Sequence, residues 1–84
     1  MIILYFYKIQ YVLVEEHRDV PDLGRYRSFG IMALRHTSRG RERLAYVPDV
    51  TTDRAFAAAL ARRCNRAELS PIHLRDFIAD TLGV

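Results

Sequence analysis

The first fourteen residues, MIILYFYKIQYVLV, alternate as a pleated strand does. The odd positions Ile3, Tyr5, Tyr7, Ile9, Tyr11 and Leu13 are all apolar or aromatic, and the even positions mix Lys8 and Gln10 with Phe6 and Val12. A strand over 2–14 thus has one face apolar throughout and the other apolar in part. An apolar second face requires a cover, a helix or another copy of the chain, and Tyr5, Tyr7 and Tyr11 are the candidate self-interface. Residues 15–23, polar and containing Pro21 and Asp22, read as a connection. GRYRSFGIMALRH predicts a second strand, with Phe29, Ile31 and Ala33 facing one way and Tyr26, Met32 and Leu34 the other. Gly30 inside it signals a bulge or a close packing contact. TSRGR is a hairpin turn in which Gly40 is free to take positive φ. Residues 42–47 form a third strand, closed by Pro48, which cannot donate to a ladder. Three sequential strands with short links make an antiparallel meander.

The period then changes from two to 3.6. In DVTTDRAFAAALARRCN, Phe56, Leu60 and Cys64 fall at i, i+4 and i+8 beside Ala59 and Arg63, a helical stripe. Thr51 is the candidate N-cap, Asp53 complements the helix dipole, and Asn65 is the candidate left-handed terminator. In ELSPIHLRDFIADTL, Ser70 is the candidate cap and Pro71 the first helical residue, where its missing N–H costs nothing. Leu74, Phe77, Ile78 and Leu82 follow on one face, and Gly83 ends the helix. The expected fold is α+β: a three-stranded antiparallel meander followed by two helices packed on one sheet face, one small domain over 1–84.

Eighty-four residues bury a limited core, and small domains without staples often gain stability by associating. Cys64 is the single cysteine, so no internal disulfide exists, and a reducing, cytoplasmic setting is expected. The apolar N-terminal run has no basic residue before it, contains Lys8 and Gln10, and is followed by Glu15 and Glu16, which fits a strand rather than a leader or a membrane span. The net charge is only +3, but it is unevenly spread. Residues 15–24 carry net −3, and residues 25–43 carry net +5 from Arg25, Arg27, Arg35, Arg39, Arg41 and Arg43 against Glu42. These six arginines are the candidate interaction surface, either a solvated face or a strip for a polyanion.

CNRAELSPIHLRDF brings Cys, Asn, Ser, His and Asp close together, yet each has a structural task. Cys64 lies on the apolar stripe, where a free thiol acts as a small hydrophobe. His73 and Asp76, at i and i+3, are the one polar pair left over, and with Cys64 they fall short of a metal's ligand set. Ser70, His73 and Asp76 on one short helix lack the separate supports and oxyanion donors of a hydrolase triad. The two helices could form a helix-turn-helix, but Glu68, Asp76 and Asp80 give the second helix the wrong charge for phosphate. No cofactor, metal or small-molecule substrate is expected, and the chain reads as a non-catalytic interaction or regulatory module that self-associates or binds a protein partner. Nucleic-acid binding through strand two and the hairpin turn is the alternative.

YRSFGI, DVTTD, CN and LSPIHLRDFIAD together resemble a family of short bacterial proteins of unknown function, over about residues 5–82. Phe29 stands where that family often has Tyr, and Ala79 where it often has an acid. The resemblance implies the same fold and a bacterial cytoplasmic origin, and it brings no catalytic residue.

Overall fold

The structure, a computed structural model, describes residues 8–84. Three strands, β1 (Ile9–Val20), β2 (Gly24–Thr37) and β3 (Gly40–Thr51), form one antiparallel sheet in the order β1-β2-β3. Helix α1 (Arg54–Arg66) follows, then a 3-10 turn (Pro71–His73) that runs into α2 (Leu74–Leu82). The three-stranded meander with two helices on one face is therefore the fold the hydropathy periods predict.

The core lies between that face and the helices. Tyr11, Phe29, Ile31 and Ala33 from the sheet meet Ala57, Leu60, Ala61 and Cys64 of α1 and Leu74 and Ile78 of α2. The alternation of β2 is as expected, since Phe29, Ile31 and Ala33 are all buried on one side. The stripe of α1 is rotated from the expected one: Ala57, Leu60, Ala61 and Cys64 point inward, and Phe56 stays exposed. Small alanines let the helix approach the sheet more closely than a Phe56-centred stripe would.

The strand ends differ from the sequence expectation. The expected start at residue 2, with Tyr5 and Tyr7, lies outside the described residues, and β1 runs on to Val20 through the segment read as a connection. Most side chains of this hairpin are exposed or half-buried, so hydropathy carries little signal there; the backbone ladder continues to Val20 and Gly24, and charge pairs lie across it. Arg27 reaches Glu15 at 3.5 Å and Arg25 reaches Asp19 at 3.8 Å. β3 likewise continues past Pro48 to Thr51, because the ladder shifts register between Phe29 and Ile31, where no N–H is required of Pro48. Gly30 sits at that shift: a Cβ there would lie 2.6 Å from the Val47 carbonyl oxygen and 3.0 Å from Pro48 Cα. Gly40 has φ of 125°, the turn conformation expected of it.

Three of the expected caps are reassigned. Thr51 remains in the sheet opposite Phe29, and Asp53 is the N-cap, its Oδ1 accepting from the amides of Ala55 (2.9 Å) and Phe56 (3.3 Å). Thr51 acts one step earlier, its hydroxyl accepting from the Asp53 amide at 3.0 Å. Asn65 stays helical, and the left-handed residue is Glu68, with φ of 50°. There the amides of Leu69 and Glu68 close back on the carbonyls of Cys64 and Asn65, a Schellman ending. Ser70 caps through its backbone alone: its carbonyl accepts from the His73 amide at 2.9 Å and its hydroxyl makes no cap bond, because the tight turn closes i to i+3. Pro71 does take the first helical position.

Candidate functional site

With both helices on one side, the alternate residues of every strand form an open face. Its rows follow from the register. Gln10, Leu34 and Arg43 lie side by side, then Val12, Met32 and Tyr46, then Val14 and Gly30, then Glu16 and Ser28 with Asp49. His36 and Arg41 pair at the hairpin end, and His36 Nε2 lies 2.9 Å from Gln10 Oε1. The centre of the face is thus aliphatic, with Val12, Val14, Met32 and Leu34 half-buried by their neighbours and covered by no other element among the described residues.

At the end remote from the hairpin turn, polar side chains close on one another. Ser28, fully buried, donates to Asp49 Oδ1 at 2.5 Å. Tyr26 donates to the other oxygen of Asp49 at 3.4 Å. Arg18 holds Glu16 Oε2 at 2.6 Å and approaches Asp49 at 3.7 Å, and the Tyr46 hydroxyl donates to Glu16 Oε1. Burial, and then the Glu16 carboxylate, push the Tyr46 phenol up to about 12, so it remains a donor at neutral pH. Asp49 adopts φ of 53°, which turns its carboxylate toward Ser28. Period-two spacing is what gathers Tyr26, Ser28 and Gly30 of YRSFGI here; the missing information was which acids of other strands lie opposite. Most donors and acceptors of the group meet one another, Arg18 Nε being the buried nitrogen left without a hydrogen bond, and no imidazole lies there to activate Ser28, so its chemistry is that of a polar staple.

The six arginines do not form one strip. Strand alternation sends Arg25, Arg27 and Arg35 to the helix side, where they pair with Asp19, Glu15 and Glu42. Arg41 and Arg43 lie on the open face, and Arg39 is in the turn. Tyr11 leaves the candidate self-interface: it is 3% exposed under α1, and its hydroxyl donates to the Leu69 carbonyl at 2.5 Å. Burial pushes its phenol up to about 12, with Cys64 adding to the effect. Cys64 is buried, and burial raises its thiol pKa. His73 and Asp76 are both exposed and make no bond to each other. Among the described residues no group of three His, Cys, Asp or Glu could hold a metal ion, and no helix is long and apolar enough to cross a membrane.

A feature that sequence reasoning missed is the clamp on the free edge of β1. Asn65 Oδ1 accepts from the Tyr11 amide at 2.7 Å, and Asn65 Nδ2 donates to the Tyr11 carbonyl at 2.9 Å. The carboxamide thereby occupies the place of a neighbouring strand. A cleft of about 880 Å³ opens beside it, lined by Lys8, Gln10, His36, Arg66 and Glu68.

No curated protein and no solved structure matches the chain. Residues 5–84 match the Family of unknown function (DUF6514), and the chain belongs to that family.

Proposed function

We propose that this chain is a non-catalytic interaction module that self-associates through the open face of its sheet. The observation that carries this is the aliphatic centre of that face, Val12, Val14, Met32 and Leu34 in adjacent rows opposite the helices. A sheet covered on one side by helices and apolar at the middle of the other gains by burying that middle. Three strands about 4.8 Å apart and eleven residues of about 3.3 Å each give a footprint of roughly 500 Å² per copy. Two such faces reach the lower limit of specific interfaces, so a micromolar homodimer is expected. The lone buried Cys64 supports a reducing compartment, and with the family resemblance it suits a bacterial cytoplasm.

Sedimentation or light scattering from 1 to 500 μM tests the reading, with Met32→Asp as the control variant (concentrations chosen around the roughly micromolar affinity expected of such an area). The wild type should pass from monomer to dimer while Met32→Asp stays folded and monomeric. A monomer throughout overturns the reading.

A second reading rests on Arg39, Arg41 and Arg43, which have no carboxylate partner among the described residues. They would bind a polyanion at the hairpin end. Oligonucleotide retention that falls steeply with salt and is lost in Arg39→Glu/Arg41→Glu would favour it.

A further inference from the structure

The open face is electrically polar along its strands, and this decides how two copies meet. One end carries Arg41 and Arg43. The other carries Glu16 and Asp49 against the single cation Arg18. Asp49 is the accessible acceptor there, with 44% of its side chain exposed, whereas Glu16 retains 19%. Its Oδ2 has only the long bond from Tyr26, 3.4 Å, and so can accept another donor.

Two sheets can stack face to face about a two-fold axis lying between them in either of two ways. An axis along the strands brings the two basic ends, Arg41 and Arg43 of each copy, to the same end of the interface. An axis across the strands reverses one sheet, so that the basic end of each copy lies over the acidic end of the other. Like charges brought together in a partly dry interface oppose association, and opposite charges steer and hold it. Resting on the self-association proposed above, we infer that the partner is a second copy of this chain, reversed about an axis across the Val12–Met32–Tyr46 row, with Arg41 of each copy over Asp49 of the other. Along β2 that row is four positions from His36, the partner of Arg41, and four from Ser28, which Asp49 reaches by its hydrogen bond, so the aliphatic rows coincide when the charges do.

The test is an inter-label distance in the dimer. Ser38 is exposed in the hairpin turn, outside the contact, and Ser38→Cys accepts a spin label while Cys64 remains buried. The turn lies about six residues from the axis, so the reversed arrangement puts the two labels roughly 40 Å apart, and the unreversed one within roughly 20 Å. A distance near 40 Å supports the inference; a dimer with the short distance overturns it while leaving self-association intact; a chain that never dimerises removes both. Dimer affinity gives an independent reading. Arg41→Glu should weaken association about tenfold, and Arg25→Glu, the same charge change on the helix side, should leave it unaltered. Equal effects of the two variants would count against the arrangement.

Discussion

Asn65 and Gly30 show how single residues set this fold. The Asn65 carboxamide makes two hydrogen bonds to the Tyr11 backbone and ties the end of α1 to the edge of the sheet. Asn65→Ala should cost about 1–2 kcal/mol in urea unfolding, and the Tyr11 amide should lose its protection from hydrogen exchange. A protected Tyr11 amide in the variant would mean that something else covers the edge. At Gly30 the constraint is steric. Gly30→Ala drives a Cβ against the backbone at Val47 and Pro48 and should cost about 1–3 kcal/mol, the range for overpacking. At Gly40, by contrast, a Cβ meets nothing within 4 Å, and the cost is conformational. That Gly30 would mark a bulge or close contact was readable from its place in a strand pattern. The role of Asn65 was not, because its partner is 54 positions away.

Among the elements, α1 is the one whose start can be assigned by experiment. Asp53 accepts two amides of the first turn, and Thr51 accepts one just before it. Asp53→Ala should therefore destabilise by about 1 kcal/mol and Thr51→Ala by less. The reverse order in thermal or urea melts would restore Thr51 as the cap. Both residues are good caps by composition, and the choice falls to Asp53 because Thr51 is still committed to the sheet opposite Phe29. The hairpin formed by the ends of β1 and β2 was hidden for a related reason. Its strands are joined by a backbone ladder and flanked by cross-strand pairs such as Glu15 with Arg27, which a single strand's pattern does not display.

For the whole molecule, two readouts probe the closure of the core. Cys64 is buried beneath α1, so a thiol reagent should label it only as fast as the chain unfolds. Rapid labelling in the native state would show that α1 lifts from the sheet. The second readout is alkaline pH. Tyr11 and Tyr46 are pushed from 10 to about 12, chiefly by burial, so folding favours their protonated forms. Their contribution is complete below pH 10 and is lost as pH rises through about 12. Stability should fall across that window, and Tyr11→Phe should flatten the fall; an unchanged slope would remove Tyr11 as its source. Among the described residues the same closure leaves the opposite sheet face without a covering element, which is why association belongs to this scale.

The sequence by itself determined the order of elements, the meander, the two-faced alternation of β2 and the presence of two helices after the sheet. Those follow from periods of two and 3.6 and from turn chemistry, all of them local along the chain. Only the tertiary structure decided which side of the sheet the helices cover and how the arginines divide between its faces. It also decided that YRSFGI supplies Tyr26 and Ser28 to Asp49 of β3. The physical reason is that register and helix placement are set by contacts between residues far apart in the chain, and such contacts leave no period in a single sequence.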